Sequence, residues 1–159
     1  MQDLIDAFHA LSPAGRFQAQ QMLCRHALSA WQRYIHAHGP IHYRESVTGT
    51  SQTVDDRLPA DALRAAAAGD DLADVARRYQ EPIVALQEDD LVFPQHIEYS
   101  YYAIYNLFRR RVQGAEQVDD WLVVNQALSS SPDPEAWRPM LEAALAHGQV
   151  ASARERRRR

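Results

Sequence analysis

From Phe93-Pro94 onward, Ile97, Tyr101, Ile104, Phe108 and Val112 recur at steps of four, three, four and four. That rhythm is the rhythm of an α-helix, and it draws one apolar stripe along residues 95–113. A stripe of that length, closed by Gly114, has to be covered by other elements. The rest of the chain offers little sheet to do so. It holds 25 Ala and 14 Leu against 10 Val and 6 Ile, a balance that favours helix over strand. The expected fold class is mostly α: a compact multi-helix domain with one short β-hairpin near residues 41–54. At 159 residues the chain can bury a core without a disulfide or a metal to staple it.

Other signals place the remaining elements. Leu4, Ile5, Phe8 and Leu11 share a face over residues 2–11. Ser12-Pro13 reads as an N-cap followed by proline at the first helical position. A second helix then runs to about His38, where Gly39-Pro40 stops it. Alternation at Ile41, Tyr43 and Val47, with Thr48-Gly49 as the turn, gives the hairpin. Residues 60–68 are helical and end at Gly69. Asp70 or Asp71 caps a helix carrying Leu72, Val75 and Tyr79, and Pro82 opens a separate short helix to about Asp90. Residues 116–129 form a helix with Val118, Trp121, Leu122, Asn125 and Leu128 as its stripe. Asp133 caps a last helix that restarts near Trp137, because of Pro139, and ends at Gly148. This gives one helical domain over 1–148 and a disordered Arg-rich tail over 149–159.

The charge is unevenly spread. All 17 basic residues are Arg, and the formal net charge is −4. Residues 151–159 hold five Arg and one Glu, and the other 150 residues hold 12 Arg against 20 acids. An acidic body argues against direct nucleic-acid binding and suits a basic partner. The first residues lack a basic segment followed by an apolar one, and no apolar run approaches a membrane span. The expectation is a cytoplasmic protein with no membrane partner.

Few residues suggest catalysis. Cys24 sits on the apolar face of the second helix, where a lone cysteine serves as a small hydrophobe. His36 and His38 are two apart, so they face different directions, and with His42 they match no zinc spacing. There is no glycine-rich phosphate loop and no nucleophile elbow. No catalytic residue, metal or cofactor is therefore assigned, and the chain is not expected to be an enzyme. The unusual feature is a set of acidic doublets: Asp55-Asp56, Asp70-Asp71, Asp89-Asp90 (beside Glu88) and Asp119-Asp120. Capping and solvated charge account for part of it. A surface for a basic protein accounts for the rest. Tyr99, Tyr101, Tyr102 and Tyr105 cannot share one helical face, so Tyr99 and Tyr102 become candidates for a partner surface.

Two stretches carry a resemblance. One is Glu81-Pro82-Ile83-Val84-Ala85-Leu86-Gln87 with Asp89-Asp90-Leu91. The other is Tyr102-Ala103-Ile104-Tyr105-Asn106-Leu107-Phe108-Arg109 followed by residues 119–129. Together they resemble small bacterial immunity proteins paired with polymorphic toxins, including type VI secretion effectors. The resemblance implies binding to a cognate toxin domain and occlusion of its active site. A cytoplasmic antidote implies a toxin acting there, with nucleases leading because their clefts are basic. The candidate partner-binding residues are Asp55, Asp56, Glu88, Asp89, Asp90, Tyr99, Tyr102, Asp119 and Asp120. Two other readings remain: a small metal-dependent hydrolase using the doublets and His96, and a helical adaptor or oligomerisation module.

Overall fold

The structure, a computed structural model, describes residues 1–114 and 117–158. Among them are helices α1 (Gln2–His9), α2 (Pro13–His38), α3 (Leu58–Ala68), α4 (Leu72–Gln87), α5 (Gln95–Gln113), α6 (Asp120–Ser129) and α7 (Trp137–Arg156). A 3-10 turn, Pro134–Ala136, precedes α7. Strands β1 (His42–Arg44) and β2 (Ser51–Thr53) pair antiparallel, with Tyr43 opposite Gln52. The mostly helical architecture and the single hairpin agree with the sequence reading.

Helix α2 is the hub. It packs against α7, α5, α6 and α3, while α4 packs on α3 and α1 on α7. Its entry follows from sequence: Ser12 accepts from the Gly15 amide at 3.2 Å, and Pro13 occupies the first turn. Ala19, Leu23, Cys24, Ala27 and Trp31 of α2 are buried with Ile97, Tyr101, Ile104 and Phe108 of α5. The centre of this core is aromatic. Trp31 meets Phe93 edge-on at 5.3 Å and lies 5.2 Å from Tyr101, and Tyr79 of α4 meets Tyr101 at 5.5 Å.

Three expectations are corrected. Pro82 does not open a new helix, because α4 runs through it to Gln87. Tyr79, Ile83 and Leu86 fall on one face and are all buried. Their packing outweighs the roughly 3 kcal/mol that an internal proline costs. Gly148 does not end the last helix, and residues 149–156 are helical rather than disordered. Glycine stands there because α7 crosses α2 closely: a Cβ on Gly148 would lie 2.6 Å from the Gly15 carbonyl oxygen and 2.6 Å from Leu11 Cδ1. One turn later Ser152 is buried, and its hydroxyl accepts from the Ser12 amide at 3.1 Å. The third correction concerns α6. It starts at Asp120 and buries Val123, Val124, Ala127 and Leu128, leaving Leu122 and Asn125 exposed. Ala115 and Glu116, where the helix was expected to begin, lie outside the described residues.

The α2–α7 crossing generates a prediction. Gly148→Ala gains about 1 kcal/mol of helix propensity. It also forces a methyl against backbone, at about 1–3 kcal/mol. The variant is expected to unfold at a lower urea concentration than the parent, whereas Gln149→Ala on the exposed face should leave the midpoint in place.

Candidate functional site

The hairpin and α4 together form a groove of about 410 Å³, lined by Tyr43, Glu45, Arg77, Gln80, Glu81, Val84, Ala85, Glu88 and Asp90. Arg77, Glu81, Val84 and Glu88 lie at steps of four, three and four, so one face of α4 supplies a whole wall. After Glu88 the chain turns sharply. Asp89 adopts φ 60°, a left-handed conformation that Asp tolerates better than most residues. The turn lets the Asp90 and Leu91 amides both donate to the Ala85 carbonyl, at 2.9 and 3.2 Å. Glu88 and Asp90 are thereby brought to the groove.

The groove is electrostatically frustrated. Glu81, Glu88 and Asp90 have no cationic partner among the described residues. The nearby Arg77 is held by Asp74 at 2.6 Å. Asp90 Oδ2 is buried and accepts no hydrogen bond. A desolvated carboxylate oxygen without a donor is costly, and the cost is removed by a donor brought to it. Partial burial pushes the Tyr43 phenol above its ordinary range, and the charges of Glu81, Glu45 and Asp90 push it further. Val84 is 45% exposed, and Val92, just past the turn, is 70% exposed. The arrangement is a concave acidic surface with apolar side chains beside it.

The other acidic candidates are placed differently. Asp55 is clamped by Arg78, whose Nη2 and Nε donate to Oδ2 at 2.6 and 3.0 Å. Arg78 also reaches Asp61 at 2.9 Å, tying the segment after β2 to α3 and α4. Asp56 has an exposed side chain, and its backbone carbonyl accepts from Trp31 Nε1 at 2.9 Å. Asp71 is the left-handed residue before α4, with Arg64 at 3.4 Å. Asp119 caps α6, accepting from the Trp121 and Leu122 amides at 2.7 and 3.1 Å. Asp120 is an internal hub: Arg110 lies at 2.6 Å, Arg16 at 3.0 Å, and Gln20 Nε2 donates to it at 2.9 Å.

The list of candidate partner-binding residues narrows accordingly. Asp55, Asp119 and Asp120 are committed to the fold, and Glu88, Asp89 and Asp90 remain together. Tyr99 and Tyr102 are half-buried on α5. Partial burial raises the Tyr102 phenol, and the charges of Glu98 and Asp89 push it the same way, while Asp90 shares the groove lining with Tyr43. Tyr43, Glu45 and Glu81 belong to the groove and were missed. The signal for Glu81 was a helical spacing that only an unbroken α4 makes visible; Tyr43 and Glu45, on the hairpin, carry no such signal. Among the described residues, no three His, Cys, Asp or Glu side chains are grouped to hold a metal ion, and no helix is long and apolar enough to cross a membrane. Cys24 is fully buried, and burial pushes its thiol well above the ordinary range.

Two outcomes follow for the internal ion pairs. Asp120→Ala removes the carboxylate from Arg16 and Arg110 in a half-buried site. A loss of about 2–3 kcal/mol is expected in urea unfolding, against less than about 0.5 kcal/mol for Asp56→Ala on the surface. Asp61 is held below its ordinary range, chiefly by the hydrogen bond from Arg78. Its contribution is therefore full at neutral pH and is lost as pH falls through and below the ordinary aspartate range, near 4. The acid side of a stability–pH profile should be less steep in Asp61→Asn than in the parent. The chain matches no protein-family model, no curated protein and no solved structure.

Proposed function

We propose that this chain is an immunity protein: it binds a basic cognate toxin domain and blocks that domain's active site. The observation that carries the reading is the groove between the hairpin and α4. Glu81, Glu88 and Asp90 line it without cationic partners, and Asp90 Oδ2 lies buried without a donor. Such a surface is incomplete on its own and is completed by Arg or Lys side chains from outside. Glu45 and Asp89 extend the negative field, which accelerates encounter with a basic protein. Val84 and Val92 supply apolar contact beside the charges.

A nuclease is the leading toxin class, because the cations that hold nucleic-acid phosphates are the ones this groove would take up. Inhibition is by occlusion. The acidic wall occupies the phosphate-binding cations, and the body of the helical domain covers the cleft. The toxin then acts where the antidote resides, in the cytoplasm.

The test is co-expression of the tagged protein with the product of its neighbouring reading frame. The expected result is a stoichiometric complex and loss of the neighbour's toxicity. Reversing Glu81 and Glu88 to Lys should slow association at least about tenfold at low salt and abolish protection. Absence of a complex with a neighbour that is harmless alone would defeat the proposal. Full protection by the double reversal would remove this groove from it.

A further inference from the structure

A second groove lies at the other end of α2. It measures about 490 Å³ and is lined by Ala14, Gln18, His147, Val150, Ala151, Arg154, Glu155 and Arg158. Its floor is apolar, with Val150 53% exposed. Its rim is cationic, and Arg156 and Arg157 adjoin it on α7 and in the turn that follows. Six arginines of the body, Arg16, Arg64, Arg77, Arg78, Arg110 and Arg138, are tied to carboxylates. Arg154, Arg156, Arg157 and Arg158 are not, among the described residues, and neither are the other six arginines of the body; what sets these four apart is that they fall within five residues of chain.

We propose that this groove receives the acidic, valine-bearing end of a second copy of the chain, so that copies associate head to tail. The complementary surface is the one around the hairpin and the α4 turn. It offers Glu45, Glu81, Glu88 and Asp89 for the arginines, and Val47 and Val92, 77% and 70% exposed, for the apolar floor. The two ends of one copy cannot meet. Ser12 is bonded to Ser152, which fixes the basic groove at the first turn of α2. Tyr34 lies against Phe93 at 6.0 Å, which fixes the acidic turn near its last turns. Twenty residues of rigid helix, about 30 Å, separate them. That distance exceeds the screening length in physiological salt several-fold, so neither end neutralises the other within one copy. Pairing between copies does so.

Nucleic acid is a poorer fit to the basic groove. The lining holds no Phe, Tyr or Trp, and His147 is its one ring for base stacking. Its apolar floor also has no counterpart on a phosphate backbone. Two different patches make a heterologous, head-to-tail contact, which builds rings where the rotation closes and open chains where it does not.

The experiment is sedimentation velocity on the full chain, nuclease-treated, over a range of concentrations. At ~0.02 M salt the weight-average mass should rise to at least about twice that of a single copy, and at ~0.5 M salt it should return to one copy. Arg154→Glu/Arg158→Glu should stay single at low salt, and so should Glu88→Arg/Asp89→Arg. Mixing these two variants should restore association, because each then supplies the end the other lacks. Circular dichroism and urea midpoints of both variants confirm that they fold. A single copy at every concentration in low salt would overturn the proposal. So would association that persists in both variants, or that vanishes with nuclease treatment of the parent, which assigns the groove to nucleic acid instead. The proposal does not depend on the toxin reading. Arg154→Glu/Arg158→Glu should capture a basic partner as the parent does, so failure of one idea leaves the other standing.

Discussion

Helix α2 can be covered on several sides because its buried positions are mostly small. Ala19, Ala27 and Ala30 alternate with Leu23, Cys24 and Trp31 along it, and Gly15 opens it. Small residues let neighbouring backbones approach. The Cys24 thiol comes within 3.7 Å of the Ala103 carbonyl on α5, and Gly15 meets Gly148 on α7. Close approach then allows the large side chains to interlock elsewhere, around Trp31, Tyr101 and Tyr79. If α2 stood further out, the aromatic centre would lose its edge-to-face geometry and the ties between Ser12 and Ser152 would open.

The charged groups sort themselves by the same frame. Where helices converge, acids and arginines are used up internally. Asp120 joins α6 to α2 and α5 through Arg16 and Arg110. Arg78 gathers Asp55, Asp61 and Asp74 where the segment after β2 meets α3 and α4. At the two ends of α2, where convergence stops, charge is left over: negative beside the hairpin, positive along the last turns of α7. The net charge of −4 conceals this polarity, since it averages over two ends that behave oppositely.

Much of the fold was legible because single residues fix local geometry. Val112, expected to close the α5 stripe, is 44% exposed, but the Ser12-Pro13 start, the Gly39 stop and the stripe from Ile97 to Phe108 were all readable at their true positions. So was the hairpin turn at Thr48-Gly49. What was not legible depended on partners distant in sequence. Pro82 and Gly148 both argue locally for an end, and both lie inside helices because burial on the far side overrides local preference. The site suffered the same loss. Breaking α4 at Pro82 hides the alignment of Arg77, Glu81, Val84 and Glu88. The doublet pattern also drew attention to Asp119 and Asp120, whose roles are capping and internal pairing. Doublets report where carboxylates are dense in sequence. They do not report where arginines reach them in space.

The bond between Ser12 and Ser152 spans 140 residues of chain. Helical proteins usually fold quickly because their contacts are local. Here the helices can form early, yet the seam between α2 and α7 closes only when the two ends of the sequence find each other. That step carries a loop-closure entropy that no local element repays in advance. The first turns of α2, with Gly15 and Ala19 buried, gain their cover from α7 only at that step. Contacts between residues distant in sequence are the slow ones to make, so the α2–α7 seam is expected to close after the helices and to slow folding relative to a bundle of sequential neighbours.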